Sequence, residues 1–69
     1  MFLILNNETI IRKSEVMAVR ATDSPYGLDF YNRDGNKVAH ATLNNYECPE
    51  AIDQIAIALD EDMISSLEL

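Results

Sequence analysis

Residues 26–43 read YGLDFYNRDGNKVAHATL, two alternating segments on either side of a loop that contains Gly35. A glycine-containing loop between alternating apolar and polar segments is typical of a β-hairpin. The residues expected on the inner face of this hairpin are Tyr26, Leu28, Phe30, Ala39, Ala41 and Leu43. Asp29 and His40 fall on the opposite face. This stretch therefore predicts an antiparallel sheet.

The segments before this hairpin also predict strands. Phe2–Leu5 is a short apolar run closed by Asn6-Asn7, a turn pair because asparagine tolerates positive φ, and Thr9–Arg12 is rich in β-branched residues that can pair back across that turn. Glu15–Ala21 has apolar residues on both faces, which indicates either a central strand covered on both sides or a helical turn at its start. The Ser24-Pro25 pair then ends it.

A helix is predicted near the C-terminus, starting at Pro49, because proline suits the first helical position. On a wheel of about 100° per residue, one apolar face is expected to cover the sheet. The residues of that face are Ile52, Ile55, Ala56, Leu59 and Met63, with Leu67 added if the helix runs that far. The predicted fold is α+β: one domain over residues 1–69, with a small antiparallel β-meander of three to four strands and one C-terminal α-helix packed on one face.

The size and charge of the chain restrict what it can do. A fold of 69 residues buries little surface, so we expect it to need a further source of stability. Cys48 is the only cysteine, so an internal disulfide cannot be that source. Self-association remains as that source, which predicts a homodimer. Every Lys and Arg lies at or before Lys37, and the net charge of −7 belongs to Val38–Leu69. The scarcity of clustered basic residues argues against direct nucleic-acid binding.

No catalytic signature is present. Cys48 and His40 offer a nucleophile and a base, with Asp29 or Glu47 to orient the base, but a lone cysteine before a proline is typical of a small buried residue. No glycine-rich phosphate loop and no metal-ligand cluster occurs, so we expect no enzyme activity, cofactor or metal. No apolar run approaches a membrane span or a secretion signal, which predicts a cytoplasmic protein that does not bind membranes.

The outward face of the predicted helix carries the candidate functional site. Apolar residues project there from among carboxylates, where a solvated helix would place polar groups. The residues of this candidate protein interface are Glu50, Asp53, Ile57, Asp60, Glu61 and Ile64. Single exposed isoleucines are common and need no function. Alternatively, the two isoleucines form an apolar contact with an acidic rim, used for self-association or for a basic protein partner.

The run Asp60-Glu61-Asp62 lies where the helix is expected to end, and the helix dipole disfavours anions there. Either the helix continues through residues 64–67, or the acids are kept for reasons other than helix stability. Two function classes are consistent with these features. One is a non-catalytic interaction or accessory module that meets a protein partner through the helix face or a sheet edge. The other is an inhibitor encoded by a phage or mobile element, whose carboxylates mimic nucleic acid and block a basic protein surface.

Overall fold

A computed structural model describes residues 1–69 and confirms the α+β class. It contains one helix and six strands. In chain order the elements are β1 (Phe2–Leu5), β2 (Thr9–Arg12), a 3-10 turn (Lys13–Glu15), β3 (Ala18–Asp23), β4 (Tyr26–Tyr31), β5 (Lys37–Ala41), α1 (Cys48–Asp60) and β6 (Ser65–Leu67). The strands form two three-stranded sheets rather than one meander, and a strand follows the helix.

The first sheet has the strand order β2-β1-β6. β1 and β2 form the predicted hairpin, in which Leu5 pairs with Thr9. Asn6 and Asn7 take the turn with φ of 52° and 56°, the left-handed conformation that asparagine adopts more readily than most residues. β6 pairs with β1 in parallel, so that Leu3 lies beside Ser65. This parallel pair is the part of the fold that the sequence analysis missed.

The second sheet, β3-β4-β5, is antiparallel and contains the hairpin expected from residues 26–43. In its loop the Asn32 side-chain oxygen accepts hydrogen bonds from the backbone N–H groups of Asp34 and Asn36, each at 3.0 Å. Gly35 follows with φ of 81°. β3 lies at the edge of this sheet, so its prediction as a central strand is wrong, whereas the helical turn precedes it at Lys13–Glu15.

The core lies between the two sheets and α1. Its buried apolar residues are Leu3, Leu5, Leu28, Phe30, Ala41, Leu43, Ala51, Ile55, Ala58 and Leu69. The predicted inner positions Leu28, Phe30 and Leu43 are among them. Tyr26 is not, because it starts β4 at the edge of the core and is 46% exposed. The chain end contributes Leu69, which no local pattern had indicated.

The buried face of α1 is rotated from the one predicted. Ile55 is buried as expected, but its buried neighbours are Ala51 and Ala58, while Ile52 is 39% and Met63 54% exposed. The buried face therefore consists of one large side chain, Ile55, between two small ones. The prediction placed the largest apolar side chains inward, so the rotation that it gave the helix about its own axis is wrong.

Hydrogen bonds to the last residue hold β6 in place after the helix. The main-chain oxygen of Leu69 accepts the backbone N–H groups of Asn44, Asn45 and Tyr46 at 3.0, 2.7 and 3.1 Å. The Leu69 N–H in turn donates to the Asn6 side-chain oxygen at 2.7 Å. Together with the buried Leu69 side chain, these bonds fix the chain end against the β1–β2 turn and the loop before α1.

Candidate functional site

A groove of about 200 Å³ lies between the second half of α1 and the segment that leads into β6. We call it the α1–β6 groove. Residues that line it include Gln54, Ile57, Glu61, Met63, Ile64 and Ser66. Its walls are a helix on one side and the edge of a sheet on the other, and it contains exposed apolar side chains beside a carboxylate.

Three of the six residues predicted as an interface share this groove. Ile57 and Ile64 are 57% and 58% exposed, and Glu61 lies with them along the same groove. The structure does not place Ile64 one heptad further along the helix, because α1 ends at Asp60 and the chain turns back toward β6. Ile64 therefore reaches the groove from the opposite wall.

The other three predicted residues, Glu50, Asp53 and Asp60, are exposed on α1 without lining the groove. They add negative charge to the same helix. On a helical wheel the Glu50 side chain points in nearly the same direction as that of Ile57, two turns earlier. Asp53 and Asp60 lie on the side of the helix that is further from β6. The groove thus has Glu61 at its margin and further carboxylates beyond it.

The C-terminus of α1 is capped by Lys13, which the sequence analysis did not identify. The Lys13 ammonium donates to the backbone oxygens of Ala58 and Met63, both at 2.6 Å, and of Glu61 at 3.0 Å. It also reaches the Ser65 hydroxyl at 2.8 Å. A cation at this end is favoured by the helix dipole. It adds a second hydrogen bond to the Ala58 oxygen, which also accepts the Glu61 N–H at 3.3 Å.

This cap explains how α1 ends at Asp60 even though three acids follow one another there and its last turn contains no basic residue. The sequence around the helix end does not predict this cap, because the cation comes from the turn after β2, far away along the chain. It also fixes the geometry of the groove, since one ammonium group binds both the helix end and the start of β6.

One edge of β6 is unpaired, because β6 is the last strand in the order β2-β1-β6. The Asn6 N–H donates to the Leu67 oxygen at 2.8 Å, so the main-chain groups of Leu67 face β1. Main-chain groups alternate in direction along a strand, and those of Ser66 therefore point away from β1. Ser66 also lines the α1–β6 groove.

All carboxylates of residues 38–69 are exposed. They are Glu47, Glu50, Asp53, Asp60, Glu61, Asp62 and Glu68. None lies within ion-pair distance of a Lys, Arg or His side chain, because the contacts of that kind in the structure are both made by Asp29. The negative charge of this half of the chain is therefore not neutralised within the protein, and Glu61 places part of it at the α1–β6 groove.

A second polar cluster occupies the outer face of the β3-β4-β5 sheet. Asp29 lies on the face opposite Leu28 and Phe30, as the alternation predicts, but it is only 7% exposed. Its carboxylate lies 2.6 Å from His40 Nδ1 and 3.9 Å from Lys37 Nζ, and Tyr31 donates to it at 3.5 Å. The His40 ring packs over Gly27, where a Cβ would overlap the Ala41 backbone oxygen. The cluster covers Asp29 and ties β4 to β5.

The arrangement of a nucleophile and a base that the sequence analysis considered is not formed. His40 Nδ1 is bonded to Asp29 and its Nε2 has no hydrogen-bond partner, so neither ring nitrogen is hydrogen-bonded to Cys48. The Cys48 thiol beside Tyr26 raises the pKa of the Tyr26 phenol.

The outer face of the first sheet carries exposed apolar side chains. Ile4 lies opposite Ile10 and beside Ser66, and the Arg12 guanidinium stacks over the Phe2 ring at 5.0 Å. A shallow depression of about 260 Å³ borders Ile4 and Ile10.

No group of three or more His, Cys, Asp or Glu side chains is placed to hold a metal ion. The single helix lacks the length and apolar character needed to cross a bilayer. Comparison with known proteins found no matching family model, and no curated protein or solved structure showed significant similarity to the chain.

Proposed function

We propose that this protein is a small, non-catalytic interaction module of the cytoplasm that binds a protein partner through the α1–β6 groove and the acidic surface around it. The observation that carries the proposal is the convergence of Ile57 and Ile64, both more than half exposed, with Glu61 in one groove. They reach the groove from two separate segments of the chain, so the apolar surface is not a by-product of one helical pattern.

The charge around the groove favours a partner with a basic surface. Apolar side chains at the centre of an interface supply most of the affinity, while charged residues at the rim act on association rate and specificity. Ile57 and Ile64 suit the first role and the exposed carboxylates of α1 suit the second. Since these carboxylates have no partner within the chain, a basic protein would gain favourable contacts without displacing existing ion pairs.

The unpaired carboxylates also support a second candidate function. An inhibitor encoded by a phage or mobile element could use them to imitate the phosphates of a nucleic acid and occupy a basic nucleic-acid-binding surface. In that case the apolar groove would contribute little. Affinity would depend on the number of carboxylates and would fall steeply as salt is added.

We also propose that the chain forms a homodimer, and that the outer face of the first sheet is the surface involved. Ile10 is largely exposed there and pairs across the sheet with Ile4. Two copies joined through the acidic face of α1 would bring like charges together, whereas the outer sheet face offers apolar side chains. Such burial would add stability to a fold whose core is small.

Two variants test which part of the groove matters. A partner is first identified by affinity purification from a host lysate, and its affinity is then measured by calorimetry at two salt concentrations. Ile57→Asp should abolish binding, while the double variant Asp60→Lys/Glu61→Lys should mainly change the association rate and the dependence on salt. Ala56→Asp, an added carboxylate elsewhere on the exposed surface of α1, is the matched control and should bind normally.

The nucleic-acid-mimic function predicts the reverse order, in which the charge reversals dominate and Ile57→Asp has little effect. Circular dichroism checks that each variant is folded. If Ile57→Asp unfolds the protein, residue 57 belongs to the core and both functions lose their basis in this helix face.

A further inference from the structure

We propose that the partner contributes an extended segment that adds to the unpaired edge of β6 as a new strand, and that this segment alternates Lys or Arg with apolar residues. This inference rests on the proposed function, because it specifies what the α1–β6 groove binds. Addition of a strand to an exposed sheet edge is a general mode of peptide recognition, in which main-chain hydrogen bonds supply affinity and side-chain pockets supply specificity.

The backbone of β6 provides the first argument. The Ser66 N–H and C=O point away from β1, and no neighbouring strand occupies that side of the sheet. Unpaired main-chain groups at a sheet edge are ready partners for another chain. Proteins commonly protect such an edge with charged side chains or with proline, but Ser66 has a small side chain and the following Leu67 is apolar.

The space beside this edge provides the second argument. The α1–β6 groove runs between the β6 segment and α1, so an added strand would have the helix on one of its faces. Side chains of a strand alternate between the two faces of its sheet. One set of the added side chains would meet Ile57 and Gln54 on the helix, and the other would lie beside Ile64 on the outer face.

Charge identifies the chemistry of the added segment. Glu61 borders the groove, and Asp60 and Asp62 lie next to it in the chain, whereas no Lys or Arg occurs after Lys37. The nearby ammonium of Lys13 is already bound to the end of α1. A second copy of β6 would bring the same acids against one another, so the charge favours a basic segment from another protein over self-association at this edge.

A designed peptide tests the inference directly. The probe is the heptapeptide Lys-Val-Lys-Val-Lys-Val-Lys, with blocked ends, added to the isotope-labelled full chain at low ionic strength. A Glu-Val peptide of the same length and a heptapeptide of lysine alone are the controls for charge and for apolar contact. Binding is followed by amide chemical shifts and by hydrogen exchange at Ser66, whose N–H should become protected when a strand is added.

A pair of variants isolates the main-chain contact. Ser66→Pro removes the N–H that points away from β1 but no hydrogen bond to β1, since proline is compatible with an edge position whose N–H faces away from the sheet. Ser66→Ala keeps the N–H and is the matched control. We expect Ser66→Ala to bind the Lys-Val peptide as the unmodified chain does, and Ser66→Pro to bind it about tenfold more weakly.

The outcomes separate this inference from the proposed function. Equal binding by Ser66→Pro, or an unprotected Ser66 amide in the complex, would overturn strand addition. If Ile57→Asp nevertheless prevented binding of the partner, the groove would remain the interaction site. Failure of the Lys-Val peptide to bind, or binding equal to that of either control peptide, would overturn the predicted segment chemistry. If Ser66→Pro does not fold, the exchange measurement on the unmodified chain decides the question.

Discussion

Replacement of Lys13 by methionine should destabilise the fold more than any other single change of a surface cation. Lys13→Met keeps most of the side-chain stem and removes the ammonium group that binds Ala58, Glu61, Met63 and Ser65. The substitution therefore tests the capping interaction and leaves most of the apolar contacts of the side chain in place.

The expected loss follows from the acceptors left behind. The hydrogen bonds to the Ala58 oxygen and the Ser65 hydroxyl are partly buried, whereas those to Glu61 and Met63 are exposed, so water can replace the latter. The Ala58 oxygen keeps the Glu61 N–H at 3.3 Å, so the Ser65 hydroxyl is the partly buried group that loses its partner. A buried polar group without a partner costs about 1–3 kcal/mol, which is the expected loss. A domain of this length has a free energy of unfolding of only about 5 kcal/mol.

Urea denaturation followed by circular dichroism measures this effect. With a slope of about 1 kcal/mol per molar urea for so small a protein, the midpoint should fall by about 1–3 M. Arg33→Met is the matched control, because Arg33 is exposed and takes part in no ion pair. Equal midpoints for the two variants would refute the role of Lys13 as a cap.

Two further predictions concern the helix phase and self-association. Ile55→Ala should cost about 2–5 kcal/mol because Ile55 is buried, whereas Ile52→Ala should cost clearly less, and a larger effect at Ile52 would restore the phase predicted from sequence. Thermal or urea denaturation of both variants measures the difference. Sedimentation equilibrium at micromolar concentrations should show a dimer that Ile10→Lys dissociates into folded monomers, with Ile57→Asp as the control that still dimerises. A monomer mass at every concentration would contradict the proposed dimer.

The two hairpins and the helix could be predicted from the sequence, because each depends on residues that are close together in the chain. Asn6-Asn7 can adopt positive φ and the loop around Gly35 supplies the turn between β4 and β5, so both turns depend on residues close together in the chain. The helix starts at Cys48, one residue before the predicted Pro49. The prediction that Ile57 faces away from the core also agrees with its exposure. Its use as a contact remains a proposal.

The tertiary structure decided the features that join distant segments. The parallel pairing of Leu3 with Ser65 has no local signal, because a strand as short as β6 is defined only by the neighbour to which it bonds. Asp29 is buried because His40 and Lys37 come from the adjacent strand to meet it. The alternation of residues along β4 could not show this.

The candidate site likewise has some features that the sequence predicts and others that only the tertiary structure shows. By itself the sequence determined that Ile57 and Glu61 share an outward helix face and that the second half of the chain is acidic, because helical period and composition are properties of neighbouring residues. Three features are visible only in the tertiary structure: α1 ends at Asp60, the chain turns back through Ile64, and a groove lies beside the unpaired edge of β6. The physical reason is the ammonium of Lys13, which binds the helix end and the start of β6 from a turn far away in the sequence.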